Sequence, residues 1–264
     1  MTRTRLGLLA LVLVAVAFLA TVPGVPAGAK GKPPKPSPSP SPSPSPSGTA
    51  CTSTSASTVS FAGRTWNVRQ ATSLSGPGPN YFSRANVCVD ASGLRLRISR
   101  DASGNWQSAE VFLPSSLGYG TYEWTVASRV DNLNPQAVLG LFTYETDLRE
   151  IDIEFSRWGW ANDTTNGQFV VQPWDTTGNM VRFTQSAVAT SHQKFVWSAG
   201  SVTYTSRAAD GSWSYTWTRT TADVPPPGGE RVHMNLWLYE GKALASGATS
   251  AEVVISNFTF TPPA

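Results

Sequence analysis

The sequence predicts an all-β fold, built as a sandwich or barrel of antiparallel sheets. The dominant hydrophobic period is two, since Leu94, Leu96 and Ile98 alternate with polar residues and the same rhythm recurs in Tyr122-Glu123-Trp124-Thr125-Val126. Clusters of Gly, Pro, Asn and Asp separate the β-rich runs, and no segment has the pattern of an amphipathic helix. Many short strands without helical crossovers are typical of antiparallel sheets, although the sequence does not determine their order.

Seven further runs have strand character. They are 137–144, 150–155, 168–174, 195–206, 212–220, 232–239 and 252–261.

The N-terminal segment resembles an export signal. Arg3 and Arg5 precede an apolar run over residues 6–22, and small residues follow at 27–29. We expect cleavage after Ala29 and a secreted protein. An uncleaved membrane anchor is the alternative, because the apolar run is slightly long for a signal.

Residues 30–50 form a Pro/Ser-rich linker with almost no apolar side chains to bury, which favours extended polyproline II. The first 50 residues hold 5 of the 20 Lys and Arg and none of the 17 Asp and Glu, so the remainder carries 15 − 17 = −2 charges. The basic character therefore belongs to the leader and linker, and we expect no nucleic-acid partner.

Residues 51–264 are long enough for one large β domain with its own core. Cys51 and Cys88 are the two cysteines, and an even count in an exported chain favours a disulfide. A buried free thiol at Cys88 is the alternative.

The strand Glu150-Ile151-Asp152-Ile153-Glu154-Phe155 carries the candidate chemistry. Its even positions are all carboxylates and its odd positions all apolar, so a β pleat places the acids on one face and the apolar side chains in the core. A solvated sheet face is one alternative, but such faces usually mix charges of both signs. A metal site is another, but one strand cannot surround an ion and no Asp/Asn/Gly loop flanks it.

Two facing carboxyls are what glycoside hydrolysis requires, one as an acid and one as a nucleophile or base. Glu150 and Glu154 have Cα atoms about 13 Å apart on an extended strand, so their long side chains must lean together over a concave sheet. Crowding three acids raises at least one pKa and keeps a proton available near neutral pH.

The acidic strand resembles the signature of glycoside hydrolase family 16, the laminarinase and lichenase group. Three other segments resemble the same family: Leu117-Gly118-Tyr119-Gly120-Thr121-Tyr122-Glu123, Leu141-Phe142-Thr143-Tyr144 and Met234-Asn235-Leu236-Trp237. The resemblance implies a concanavalin-type jelly-roll β-sandwich with a concave substrate-binding sheet. It also implies a retaining endo-glycosidase acting on a β-linked polysaccharide, a β-1,3- or β-1,3-1,4-glucan.

Carried over by position, Glu150 is the nucleophile, Asp152 assists it, and Glu154 is the general acid and then the base. The positions where the family places sugar-contacting groups are Asn80, Glu110, Gln168, Asn235 and Trp237. Asn235 and Trp237 share a parity opposite to the apolar Met234 and Leu236, which suits an amide beside a stacking ring. Core packing of Trp237 remains the alternative.

The resemblance implies no required cofactor. It allows a structural calcium ion by analogy, but no ligands for one can be assigned, and we predict no metal site. We expect a monomer whose partner is the polysaccharide and which has no membrane contact after signal cleavage. His192 and His233 lie in no nucleophile–base arrangement, so we expect both to be structural.

Five positions depart from the lichenase pattern. Leu148-Arg149 stands where those enzymes carry Trp-Asp, and Phe112 stands where they often carry Arg, which removes an expected stacking ring and an expected cation. Ser83 and Ser108 occupy the usual disulfide positions. These changes leave two alternatives to a hydrolase: a transglycosylase, and a non-catalytic lectin-like polysaccharide-binding module.

Overall fold

The computed structural model describes residue 51 and residues 55–264, so the predicted signal and linker lie outside the described residues. The described part is a sandwich of two large antiparallel β-sheets with short 3-10 turns. The predicted all-β jelly-roll sandwich is confirmed.

The described residues form sixteen strands, numbered in chain order. They are β1 (Thr58–Phe61), β2 (Arg64–Val68), β3 (Val87–Asp90), β4 (Gly93–Arg100), β5 (Trp106–Gln107), β6 (Ala109–Phe112), β7 (Gly120–Val126), β8 (Ala137–Thr146), β9 (Arg149–Phe155), β10 (Gly167–Val171), β11 (Met180–Phe183), β12 (Ser191–Ser198), β13 (Ser201–Ala208), β14 (Ser214–Thr220), β15 (Arg231–Leu238) and β16 (Ala251–Thr261).

The first sheet has the strand order β1-β2-β6-β15-β8-β9-β10-β11. The second has the order β14-β13-β12-β7-β16-β4-β3, with β5 paired to β4. The main core fills the space between the sheets, because each strand turns alternate apolar side chains inward. The acidic strand, β9, lies in the inner part of the first sheet with a strand on either side.

Two predicted runs differ from the observed strands by more than two residues at an end. The run 195–206 is part of the hairpin β12–β13, in which Ser198 pairs with Ser201 and Gly200 adopts a φ of 66° in the turn. The run 168–174 ends as a strand at Val171, because Pro173 has no amide hydrogen with which to continue the ladder.

Cys51 and Cys88 form a disulfide with their Cα atoms 6.0 Å apart. Cys88 lies on β3, an edge strand of the second sheet, and not on the sheet that carries the acids. Within the described residues, no helix has the length and apolar content to cross a membrane. Over the same residues, no group of three or more His, Cys, Asp or Glu side chains is arranged to hold a metal ion.

Candidate active site

The acids of β9 line an open cleft of about 680 Å³ on the outer face of the first sheet. Asp152 is buried, whereas Glu150 and Glu154 are half-buried. Ile151, Ile153 and Phe155 point the other way and are fully buried in the main core. The strand therefore presents three carboxyls on one face and anchors itself through the other, as the alternation predicts.

Antiparallel pairing arranges the cleft side chains in rows that cross the strands, since residues directly opposite each other share a face. The first row runs from β6 to β11 and contains Glu110, Asn235, Gly140, Glu154, Gln168 and Arg182. The second row contains Phe112, His233, Phe142 and Asp152. The third contains Arg231, Tyr144 and Glu150. Each acid thus lies in its own row with different lateral neighbours.

The Glu154 carboxyl is held from the β10 side. Gln168 donates a hydrogen bond from Nε2 to Glu154 Oε2 at 2.7 Å, and Arg182 donates from Nη1 to Gln168 Oε1 at 3.0 Å. On the β8 side Gly140 leaves room for its neighbour, since a Cβ at this position would lie 2.5 Å from Asn235 Oδ1. Glu154 therefore has the Gln168 amide on one side and, in the space that Gly140 leaves, the Asn235 amide on the other.

The second row is a stack of rings. His233 lies between Phe112 and Phe142, with ring centroids 5.2 and 5.0 Å away and interplanar angles of 15° and 26°. His233 Nδ1 is 2.9 Å from Glu110 Oε1, and Arg69 donates to Glu110 Oε2 at 2.7 Å. Burial is the largest influence on the pKa of Glu110 and raises it, but the hydrogen bonds and charges of His233 and Arg69 together lower it below its usual value. Glu110 is therefore a buried carboxylate that both neighbours keep ionised.

Burial dominates the electrostatics of all three acids and disfavours their charged forms. It raises the pKa of Glu150 to about 8 and that of Glu154 to about 7, and it raises the pKa of Asp152 well above its usual range. The charges of neighbouring carboxylates add to the rise at Glu150 and Asp152, whereas Gln168 and Arg182 oppose it at Glu154. Near neutral pH the three groups therefore hold protons that isolated carboxyls would have lost.

A hydrogen bond joins Glu150 to Asp152. It lowers the pKa of Glu150 and raises that of Asp152, so it favours a protonated Asp152 that donates to an ionised Glu150. Considered singly, Glu150 has a higher pKa than Glu154, the opposite of the order that a nucleophile and a general acid require. The hydrogen bond places the shared proton on Asp152, because Asp152 is 3% exposed and bears the larger cost of ionisation.

Three of the predicted sugar-contacting residues, Glu110, Asn235 and Trp237, line the cleft. Asn235 Oδ1 is buried and has no protein partner within the described residues. Trp237 is 7% exposed and packs with Phe82 and Val138 in a small cluster separate from the main core. The Trp158 ring packs edge to face against the Trp237 ring, with the two centroids 6.0 Å apart. The Trp237 indole is therefore both packed and presented to the cleft.

Asn80 is not among the residues that line the cleft. Its Oδ1 accepts from the Ser108 hydroxyl and the Leu238 amide, and its Nδ2 donates to the carbonyls of Pro77 and Leu238. All four hydrogen-bonding positions of the amide are used within the protein. The geometry therefore gives Asn80 a structural role, and its predicted sugar contact stays a prediction.

Gln168 faces Glu154 and Arg182 and is likewise not among the cleft-lining residues. Its amide oxygen and one amide hydrogen are both engaged. The structure thus places it beside the acid as a supporting group, and its predicted sugar contact stays a prediction.

Sequence reasoning missed several cleft residues. Arg69 and Arg231 line the cleft, and the Arg231 guanidinium lies 4.9 Å from the Phe112 ring centroid, so cations are present although Phe112 replaces the expected Arg. His233 also lines the cleft, in addition to the structural role expected for it. Its parity with Asn235 and Trp237 on β15 was the available signal, whereas Arg69 follows a strand that the sequence did not reveal.

No protein-family model matches the chain, and no curated protein matches it in sequence. Solved structures do match. A β-glucanase of Bacillus licheniformis has a TM-score of 0.60 at 22% identity, over 75% of this chain and 92% of that one. A β-1,3-1,4-glucanase (lichenase) derived from a mouse hindgut metagenome has a TM-score of 0.58 at 22% identity, over 75% and 93%.

A pseudo β-1,3-glucanase of Mycobacterium tuberculosis, described as an immunostimulatory antigen, has a TM-score of 0.54 at 20% identity, over 75% and 91% of the two chains. At these identities the likeness establishes the fold alone. The same fold is thus found both in glucanases and in a protein named as a pseudo-enzyme, so the chemistry has to be argued from the site.

Proposed function

We propose that this chain is a retaining endo-glycosidase that hydrolyses O-glycosidic bonds in a β-linked polysaccharide, a β-1,3- or β-1,3-1,4-glucan. The observation that carries the proposal is the set of three carboxyls on one face of β9, in a cleft open to solvent, with Asp152 hydrogen-bonded to Glu150. The likeness of the fold to glucanases supports the substrate class.

The first step breaks the bond between the anomeric carbon and the leaving oxygen. Glu150, kept ionised by the hydrogen bond from Asp152, attacks the anomeric carbon and forms a glycosyl ester. Glu154 gives its proton to the leaving oxygen, which departs with the reducing-end part of the chain.

The second step returns both acids to their starting states. Glu154, now a carboxylate, takes a proton from water, and the water oxygen attacks the anomeric carbon. The ester bond to Glu150 breaks and a hemiacetal with the original anomeric configuration is released. No step requires a metal ion or a cofactor.

The cleft also supplies groups suited to a sugar chain. Trp237 presents an indole to an apolar sugar face. The Asn235 amide and the His233 ring present polar atoms that can form hydrogen bonds with sugar hydroxyls. We further propose that the protein acts outside the cell as a monomer, after removal of residues 1–29, with residues 30–50 as a spacer.

The test is a panel of β-linked polysaccharides, including laminarin and barley β-glucan, with release of reducing ends as the readout. Glu150→Gln and Glu154→Gln should each lower kcat by at least about 10²-fold to 10⁴-fold, the usual contribution of such groups. Parent-like rates in either variant would refute the roles given to these acids. NMR of the first-formed product anomer tests whether the configuration at the anomeric carbon is retained.

A lectin-like module is the second candidate. It is favoured by the substitutions Leu148-Arg149 and Phe112 and by the pseudo-enzyme that shares the fold. Polysaccharide binding with no release of reducing ends over days would establish it, whereas products extended by added sugar acceptors would indicate a transglycosylase.

A further inference from the structure

Arg182 lies on β11, two strands away from the acids, and was not part of the sequence-based site. Its guanidinium makes five hydrogen bonds. The acceptors are Thr165 Oγ1 at 2.7 Å, Asp163 Oδ2 at 2.8 Å, Gln168 Oε1 at 3.0 Å, the Thr165 carbonyl at 3.1 Å and the Ser156 carbonyl at 3.3 Å. A partly buried guanidinium with this many partners is held in a single orientation.

The orientation of Gln168 follows from the chemistry of Arg182. A guanidinium only donates hydrogen bonds, so the amide group beside it must turn its oxygen toward Arg182. The NH₂ group of Gln168 then has to face Glu154, where it donates to Oε2. The flip state of the amide is therefore set by Arg182 and is not a free choice.

This arrangement leaves the two oxygens of Glu154 in different environments. Oε2 accepts a hydrogen bond from Gln168, whereas no described residue donates one to Oε1. The proton for the leaving oxygen therefore belongs on Oε1. When that proton departs, the new negative charge is stabilised by the Gln168 amide and by the positive charge of Arg182.

We propose that Arg182 is a positioning residue that acts through Gln168 to orient Glu154 for proton transfer to the leaving oxygen. The inference depends on the proposed role of Glu154 as acid and base. Asp163 and Thr165 in turn hold Arg182, so the support of the acid extends from β9 across β10 and β11 into the loop before β10.

Other charged groups also face Glu154 or its strand. Asp152 and Glu150 lie on β9 itself, and Glu110, with its partners Arg69 and His233, lies across the sheet on the β15 side. On the β10 side, the charge of Arg182 lowers the pKa of Glu154.

The first experiment measures Glu154 directly and needs no substrate. Protein labelled with ¹³C in the glutamate carboxyls is titrated by NMR, with the Glu154 signal assigned by its loss in Glu154→Gln. Arg182→Met should raise the pKa of Glu154 by about 1 unit or more, because an opposite charge and the fixed donor are removed. Arg182→Lys keeps the charge but not the fork of donors, and should give a smaller rise.

The second experiment compares two substrates that differ in whether the leaving group must be protonated by an acid. The kcat/KM of Arg182→Met on β-glucan should fall about 10-fold to 100-fold, the effect of losing a hydrogen bond to a charged group. On 2,4-dinitrophenyl β-laminaribioside, whose leaving group departs without protonation, kcat/KM should stay within about threefold of the parent. Arg97→Met is the matched control, since Arg97 forms an ion pair with Glu252 on the opposite sheet.

An unchanged Glu154 titration in a folded Arg182→Met protein, with equal losses on both substrates, would overturn the inference and leave Arg182 a structural role. If Arg182→Met does not fold, Asp163→Asn carries the test with a smaller shift in the same direction, and no shift there also overturns it. A parent protein that cleaves no β-glucan would refute the proposed function, while the titration would still test the link from Arg182 to Glu154.

Discussion

At the scale of single residues, the three acids of β9 are placed where their charges are unfavourable. Their folded-state pKa values are raised, so the native protein binds more protons than the unfolded chain between the ordinary carboxyl range and about pH 8. Stability from these groups is therefore greatest at low pH and is lost as pH rises through the folded-state values. The site is thus expected to cost stability at the pH where the proposed mechanism needs an ionised Glu150.

Replacing an acid by its neutral amide should relieve this cost. We expect Glu150→Gln and Glu154→Gln to become more stable relative to the parent as pH rises from 5 to 8, by roughly 1–3 kcal/mol over the range. Denaturant unfolding across this pH series measures the difference. Glu252→Gln, on the opposite sheet, is the control, and a gain that does not change with pH would contradict the prediction.

His233 is the residue whose role differs most from the sequence expectation. It is 6% exposed, its Nδ1 is bonded to Glu110, and its Nε2 is buried without a protein partner within the described residues. A ring nitrogen of this kind in a sugar cleft is suited to a hydroxyl group. His233 therefore both supports Glu110 and offers one polar atom to the cleft.

His233→Phe keeps the ring stack with Phe112 and Phe142 but removes the bond to Glu110. We expect a loss of about 1–3 kcal/mol in the free energy of unfolding at pH 7, because a buried carboxylate loses one of its two partners. The loss should shrink as pH falls through the lowered folded-state pKa of Glu110, where the carboxylate itself disappears. Denaturant unfolding at pH 7 and in acid measures both.

The double variant with Glu110→Gln provides the control for this pair. If the two changes act through one hydrogen bond, their combined cost should be less than the sum of the single costs. Strict additivity would show that His233 and Glu110 stabilise the protein independently.

At the scale of elements, the rows that cross the sheet explain why a glycine lies in the middle of β8. Gly140 pairs with Asn235 on one side and with Glu154 on the other. The missing side chain lets the Asn235 amide occupy the space beside the acid. The position is thus shaped by its neighbours on other strands and not by the needs of β8 itself.

Gly140→Ala should displace Asn235, because the added methyl group would lie 2.5 Å from Oδ1 in the present arrangement. We expect kcat/KM on the preferred polysaccharide to fall about 10-fold or more, since small displacements of binding groups are costly. Stability should fall by about 1–3 kcal/mol, as for other overpacked sites. In an Asn235→Ala background the same change should cost less stability, and an equal cost would place the strain elsewhere.

At the scale of the whole molecule, the cleft and the disulfide belong to different sheets. The cleft lies on the outer face of the first sheet, and Cys88 lies at an edge of the second. The bond to Cys51 closes a loop of 37 residues that includes β1 and β2 of the first sheet. It therefore restrains the start of the domain without contributing to the site.

Cys51→Ser with Cys88→Ser should lower stability by about 2–4 kcal/mol, the range expected for closing a loop of this length in the unfolded chain. Unfolding in guanidinium chloride measures the change, and the parent treated with a reducing agent is the control. We expect kcat on polysaccharide to stay unchanged below the unfolding transition. A selective loss of activity in folded protein would show that the disulfide shapes the cleft.

Several features of this protein could be predicted from its sequence because they depend on neighbours in the chain. The alternation over residues 150–155 places acids and apolar residues on opposite faces of any strand, and the structure has that arrangement. The all-β class follows from the same periodicity repeated along the domain. Six strands went unpredicted, and β1, β2, β3, β5, β6 and β11 are all five residues long or less. Strands this short hold too few residues to show a period.

The surroundings of the acids were decided by the tertiary structure. Arg182 bonds Gln168, which bonds Glu154, only because a particular register aligns β9, β10 and β11. His233 reaches Glu110 only because β15 pairs with β6, a strand far away in the chain. Strand order and register depend on the packing of the whole sheet, and no single strand encodes them. The order of residues along β9 thus sets which carboxyls carry the proposed chemistry, and the pairing of strands sets which side chains orient those carboxyls and shift their pKa values.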